Sequence, residues 1–389
     1  MGKHTDLIHA GERVSLGESE PLTTPIYETS TFVFPSAQAV EDYQAGRTHA
    51  YLYSRYENPT VVGVEEKLAR VDGAEAAITF SSGMAAIATA LLGLLKAGDE
   101  VVCSAAIYGG TFHILEDLLS RFGIRHRFVS LEALGTPAAV LGPDTRLVWF
   151  ESPVNPTLRC VEIAPVAAAC RAAGVWSVVD NTFASPINQP VLSMGVDLSM
   201  QSATKYLGGH SDITAGVLSG SASLIGPLAR TRRLLGGVLD PQPAFALGKS
   251  LKTLPLRVAR HNSNALAVAE ALEGHPALAA VHYPGLPGHP DHAIAKRQMS
   301  GYGGMVCLDV AAGQAAAYRV FDRLRIFQRA ASLGGAESLC SLPVLTSQYG
   351  LTDAELAEAG VTRGMMRLSV GLEDAEDLIA DLRQALAAA

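Results

Sequence analysis

The sequence predicts an α/β protein: a mostly parallel sheet covered by helices on both faces, a smaller C-terminal α/β domain, and an extended N-terminal arm. Three observations carry this expectation. Between residues 76 and 180, short apolar runs alternate with helix-length segments. The runs are apolar at nearly every position rather than at every second one, as strands buried on both faces require. The chain has 389 residues, beyond the size at which a single core stops growing, so two domains are expected. Hydrophobic residues make up 48% and charged residues 17%, a balance that fills large cores and argues against a disordered chain.

Residues 1–60 are polar and broken by Pro21, Pro25, Pro35 and Pro59. Such a segment cannot bury a core of its own and reads as an irregular arm lying on another subunit. Ala76–Phe80 reads as a strand, Ser81-Ser82-Gly83 as a turn, and 84–96 as an alanine-rich helix closed by Gly98. A strand over Glu100–Ser104, a helix over 113–122 and a strand over 124–129 follow. Next come a strand over 147–150, a helix over Ile163–Ala173 with Gly174 just beyond it, and a strand over Trp176–Asp180. Past about Pro255, helical stretches at 265–272 and 376–387 alternate with short strands near Met305–Val310 and 366–370. The expected division is 1–60, 61–255 and 256–389.

Several function classes are disfavoured. The longest apolar segment, 84–95, is one ordinary helix long, and Met1-Gly2-Lys3-His4-Thr5-Asp6 has neither an apolar leader nor a myristoylation pattern, so a cytoplasmic protein without membrane contact is expected. A formal net charge of −8 with no basic run argues against nucleic acid as a partner. Cys103, Cys160, Cys170, Cys307 and Cys340 are scattered and read as reduced, buried thiols. His289-Pro290-Asp291-His292 reads as a turn with no third ligand at useful spacing, so no metal is expected.

Two features point to chemistry. Lys205 stands in Ser202-Ala203-Thr204-Lys205-Tyr206-Leu207-Gly208-Gly209, after the apolar strand that ends in Asp180. A lysine beside two hydroxyls can form a Schiff base with an aldehyde cofactor while Ser202 and Thr204 bind a phosphate, and a strand-end aspartate can pair with a protonated pyridine nitrogen. The second feature is Ser81-Ser82-Gly83-Met84. A strand, a glycine turn and a helix start leave unpaired backbone N–H groups and a helix dipole that favour a dianionic phosphate.

Beyond these, the chain carries in order Tyr53-Ser54-Arg55, Asn58-Pro59-Thr60, Ser81-Ser82-Gly83-Met84-Ala85-Ala86, Tyr108-Gly109-Gly110-Thr111, Glu151-Ser152-Pro153 with Asn155-Pro156, Val179-Asp180-Asn181-Thr182, Ser202-Ala203-Thr204-Lys205-Tyr206, Ser332-Leu333-Gly334-Gly335 and Arg367-Leu368-Ser369. This ordered set resembles the cysteine and methionine metabolism family of pyridoxal phosphate enzymes of fold type I, nearly end to end. The resemblance implies a pyridoxal 5'-phosphate enzyme in which Lys205 holds the cofactor and moves protons, and Asp180 keeps its pyridine nitrogen protonated. Tyr108 would stack on the ring and assist departure of the γ substituent. Asn155 would reach the ring oxygen, and Gly83, Met84, Ser202 and Thr204 would bind the phosphate. Tyr53 and Arg55 would reach that phosphate from a neighbouring subunit, which makes a homodimer the smallest competent unit and a dimer of dimers the expected assembly. Arg367, aided by Ser332, would clamp the substrate carboxylate.

Within the family, members acting on cystathionine generally carry an acidic residue just before Tyr-Ser-Arg and another just before Ser-Leu-Gly-Gly. This chain has Leu52 and Ala331 there. An ammonium group stripped of water beside leucine and alanine lacks a partner, so a substrate with an apolar tail is expected. The favoured reading is a carbon–sulfur lyase that carries out γ-elimination of L-methionine to methanethiol, 2-oxobutanoate and ammonia. Against it, Gly110 replaces the cysteine characteristic of methionine-cleaving members, and Thr346-Ser347 replaces their Thr-His. Cleavage or synthesis of cystathionine, γ-replacement on O-acetylhomoserine, and an inactive scaffold of the same fold are the alternatives.

Overall fold

The structure is a computed structural model and describes residues 2–12 and 19–389. Seven strands form the first sheet: β1 (Ala76–Phe80), β2 (Glu100–Ser104), β3 (Arg125–Val129), β4 (Thr145–Glu151), β5 (Trp176–Asp180), β6 (Leu198–Gln201) and β7 (Gly216–Gly220). Their spatial order is β1-β7-β6-β5-β4-β2-β3. The run from β3 through β2, β4 and β5 to β6 is parallel, and β7 lies antiparallel between β6 and β1.

Successive residues on these strands serve two different cores, which is why the strands read as continuously apolar. Val101 and Cys103 face one side with Leu147, Trp149 and Val178. Val102 faces the other with Val148, Phe150 and Val179. Helices cover both faces of the inner strands, so their alternating side chains are equally buried, whereas the edge strand β3, Arg-His-Arg-Phe-Val, stays partly exposed.

The strands expected between residues 76 and 180 are present within one or two residues at their ends. The helix expected over 84–96 runs Gly83–Leu94, because Leu95 turns extended at φ −120°, ψ 154°. The helix expected over 113–122 begins earlier, at Gly109, and continues as a π turn over Ile114–Leu118 and a 3-10 turn over Leu119–Phe122. Two strands of this sheet have weak strand propensity. β6 is four residues with Ser199 and Gln201 in it, and β7 begins and ends in glycine. Both are fully buried inside the sheet, paired on each side, where ladder hydrogen bonds outweigh weak local preference.

The arm is less irregular than expected. It holds the helices α1 (Lys3–His9) and α2 (Ala37–Gln44) and leads into α3 (Pro59–Asp72). Residues 13–18 of the expected arm lie outside the described residues. Leu7 of α1 is fully buried against the same core as Val64 and Leu68 of α3. Lys67 fastens this contact, its Nζ donating to the Leu7 carbonyl at 2.7 Å and to the Glu12 carboxylate at 2.6 Å. A buried lysine paired in this way anchors α1 to its own subunit.

The C-terminal part opens with the helix Leu254–Leu272, so the expected division at 255/256 falls within its first turn. Its sheet contains β8 (Leu278–His282), β9 (Met305–Val310), β10 (Gln328–Arg329), β11 (Leu339–Ser341) and β12 (Met365–Ser369), in the order β10-β11-β12-β9-β8. The strands pair antiparallel except β10 with β11. The helices Leu254–Leu272 and Ala375–Leu386 bury Val268, Leu272, Leu378 and Leu382 against β9 and β12. Tyr206, on the loop between β6 and β7, locks the two sheets together. Its hydroxyl accepts the Gly304 N–H at 3.0 Å, and its ring meets His261 edge to face at 5.2 Å.

Candidate active site

A cleft of about 620 Å³ opens between the carboxyl ends of the parallel strands and the second sheet. Open α/β sheets bind ligands at this end because the loops leaving the strands diverge there. Gly83, Met84, Tyr108, Asn155, Asp180, Ser202, Thr204, Lys205, Ser332 and Arg367 all line it.

Its floor is made by strand ends. Glu151 and Asp180 are the last residues of β4 and β5 and stand opposite each other in register. Asp180 is buried, and its Oδ1 accepts the Thr182 N–H at 3.0 Å. Burial raises its carboxyl above the ordinary range, opposed by hydrogen bonds from Thr182. A buried carboxylate with neutral donors as its partners fits a cationic ring nitrogen.

At one end, β1 passes through Ser81 into α4 (Gly83–Leu94), which is capped by Ser82 accepting the Ala85 N–H at 3.1 Å. The loop after β6 touches this turn: a Cβ at Gly83 would lie 3.0 Å from Ser202 Cβ and 3.1 Å from Ser202 Oγ. A Cβ at Gly216 would collide with the Ser82 carbonyl. Glycine at both positions therefore lets the turn, Ser202 and β7 converge. The resulting cradle of a helix start and a hydroxyl fits a phosphate. Thr204 also lines it, with its hydroxyl accepting the Ala215 N–H at 3.0 Å and donating to the Ala215 carbonyl at 3.1 Å.

Lys205 lies between cradle and floor. Its Nζ donates to Ser332 Oγ at 2.8 Å, and burial, with Arg367 as a second cause, lowers its amine to about 8. Arg367, on β12, is buried and reaches neutral partners, Asn155 Oδ1 at 3.1 Å and the Ser332 carbonyl at 3.2 Å. Burial lowers its guanidinium from the ordinary value. A dry guanidinium facing a cleft without a carboxylate partner is suited to an anionic ligand. Ser332 itself has φ 104°, a conformation rare for a side-chain-bearing residue and one found where a site over-determines the backbone.

Tyr108 is 46% exposed at the mouth. Its ring packs over Gly110, where a Cβ would meet Tyr108 Cε1 at 2.5 Å and Met84 Sδ at 2.6 Å. Its backbone N–H donates to the Glu151 carboxylate. Glu151, Thr182, Phe183, Met200, Thr214 and Leu333 also line the cleft and were not singled out from sequence as site residues. Glu151 was legible as part of Glu151-Ser152-Pro153, but nothing local marks its side chain as turning into the cleft rather than capping a turn.

Tyr53 and Arg55 are not brought to this cleft. Both are exposed, and the Arg55 guanidinium stacks 4.9 Å from the Tyr56 ring centroid while donating to the Arg233 carbonyl at 2.9 Å. His289 and Asp291 lie elsewhere, Asp291 paired with Arg159 at 2.5 Å.

Comparison with known proteins identifies the family and the fold. The family described as Cys/Met metabolism PLP-dependent enzyme matches residues 4–387. The L-methionine gamma-lyase of Pseudomonas deceptionensis is 42% identical over 391 residues, covering 100% of this chain and 98% of that protein. Cystathionine gamma-synthase 1, chloroplastic, of Arabidopsis thaliana is 39% identical over 383 residues, covering 98% of this chain and 68% of that protein. The crystal structure of cystathionine gamma-lyase from Lactobacillus plantarum complexed with L-serine superposes with a TM-score of 0.93 at 34% identity, covering 100% of this chain and 99% of that one.

Proposed function

This chain belongs to the Cys/Met metabolism family of pyridoxal phosphate-dependent enzymes, and from that premise we propose that it eliminates the γ substituent of a sulfur amino acid, with L-methionine as the preferred substrate. When bound, pyridoxal phosphate supplies an electron sink that stabilises negative charge at the substrate Cα. In this reading Asp180 holds the ring nitrogen protonated, and Gly83, Met84, Ser202 and Thr204 hold the phosphate. Lys205 Nζ, its basicity lowered by burial, would hold the cofactor and would take the Cα proton and return it at a later carbon. Arg367 would hold the substrate carboxylate, and Ser332, bonded to both Lys205 and Arg367, would orient the two groups. Tyr108, exposed at the mouth of the cleft, would give the departing thiolate its proton.

One observation carries the choice of substrate. Ala331, beside Ser332, lines the cleft, and so do Ile87, Phe183, Met200 and Leu333. Glu151 and Asp180 are the carboxylates in that lining, and both sit in the floor. A distal ammonium, as in cystathionine, meets no carboxylate at Ala331, whereas a thioether methyl loses nothing there.

Tyr53 and Arg55 complete the phosphate site of a second copy in this proposal, since both stand exposed and away from their own cleft. A homotetramer built from two such dimers would then be the working form. Cytoplasmic residence is supported by five free cysteines, all buried. No helix among the described residues is long and apolar enough to cross a membrane.

The test is a comparison of kcat/KM for methionine, homocysteine, cystathionine, and O-acetylhomoserine with sulfide. Methionine or homocysteine should lead, and a strong preference for cystathionine would reject the reading.

A further inference from the structure

Glu151 and Asp180 place two carboxylates side by side in a dry floor, 4% and 8% exposed. Glu151 accepts the Tyr108 N–H, and the Asn155 N–H also favours its charged form. Among the described residues the charged group that bears on it is Asp180 from β5; the Cys103 thiol on β2 is itself pushed up by burial and by Glu151, and so carries no charge. Burial first, and Asp180 second, push the Glu151 carboxyl well above its ordinary range, against the weaker pull of the two N–H donors. Two anions so placed repel strongly, and such a pair holds one proton. Asp180 faces the cofactor's cationic ring in the reading above, so the proton belongs on Glu151.

Tyr108 needs a tether. It lies on the loop after β2 and precedes the helix Gly109–His113. Its carbonyl accepts the Thr111 and Phe112 N–H groups, and its own N–H is held by Glu151. With Gly110 beneath the ring, this contact sets where the phenol stands over the cleft.

We propose that Glu151 is a positioning residue that works as a neutral acid, its carboxyl oxygen holding the Tyr108 backbone while Asp180 remains the single anion of the floor. This rests on the roles proposed for Tyr108 and Asp180.

The test uses holoenzyme of Glu151→Gln, Glu151→Ala, Tyr108→Phe and the double variant Glu151→Ala with Tyr108→Phe. Glutamine keeps a carbonyl acceptor without a titrating proton. Glu151→Ala should lower kcat by at least about tenfold, and Glu151→Gln should recover most of that loss. The pH midpoint of the cofactor's visible absorption should be the same in wild type and Glu151→Gln. The double variant should lose little beyond Tyr108→Phe alone. A glutamine variant as impaired as alanine, or a midpoint displaced downward by glutamine, would show that Glu151 is an anion and overturn the proposal. Additive losses would overturn it too, by separating Glu151 from Tyr108. If the alanine variant does not fold, the glutamine midpoint decides. Absence of γ-elimination by the wild-type protein would sink the proposed function instead, because the absorption midpoint needs no substrate.

Discussion

Lys205 Nζ donates a 2.8 Å hydrogen bond to Ser332 Oγ, joining the loop after β6 to a strained residue of the C-terminal part. Ser332 keeps φ 104° although glycine would adopt it freely, so the hydroxyl is retained at a cost in backbone strain. Ser332→Gly should therefore raise Tm by about 1–3 °C while lowering kcat by about tenfold. Ser332→Ala should show the loss of kcat without the gain in Tm. Thermal unfolding and steady-state kinetics on both variants check this, and full turnover by either would remove the hydroxyl from the mechanism.

In the role proposed for Lys205 the reactive form is the neutral amine, and its value is lowered to about 8, by burial first and then by Arg367. The rate at which cofactor-free protein takes up pyridoxal phosphate should thus climb with pH and level off above about 8. Removing the Arg367 charge relieves one lowering cause, so Arg367→Leu should move the midpoint upward. Stopped-flow absorbance across pH 6.5–10 reads both, and a downward move would contradict the assignment.

Ala331→Glu places a carboxylate at the cleft wall where a distal ammonium would lie. The ratio of kcat/KM for cystathionine over methionine should rise by about tenfold, the worth of a charge-assisted hydrogen bond in a partly dry site. An unchanged ratio would refute the argument from a missing partner.

His261 is buried, its Nδ1 bonded to the Val370 carbonyl at 2.7 Å and its Nε2 without a partner among the described residues. Burial lowers it to about 4, against an ordinary value of 6.5. The unfolded chain therefore binds the proton more readily, so the stability His261 contributes is complete above pH 6.5 and is lost as pH falls toward 4. His261→Asn keeps a donor toward Val370 and does not titrate. The Tm advantage of wild type over this variant should shrink steadily between pH 6.5 and 4, as differential scanning calorimetry would show. A constant difference would mean that His261 is not buried neutral.

Much of the site was legible because its chemistry is local. Lys205 with Ser202 and Thr204, the Ser82-Gly83-Met84 turn and strand-end Asp180 each carry a short-range signal, and all line one cleft. Glu151 carried no such signal, since its meaning comes from facing Asp180 on β5 and from the Tyr108 N–H 43 residues away. The bounds of β6 and the whole of β7 were not legible for a related reason: serine, glutamine and glycine have weak strand preference until neighbouring strands satisfy their backbone.

The order of apolar runs and glycine turns in the chain determined by itself that a covered parallel sheet would form, because burial on both faces demands apolar residues at every strand position. Tertiary structure alone decided that Arg367, some 160 residues after Lys205, stands near enough to lower its basicity, and that Ser332 comes between them. It also decided that Tyr53 and Arg55 stand away from their own cleft. Coulomb and hydrogen-bond energies depend on distance in space, and chain spacing carries no measure of that distance until the two sheets close on each other.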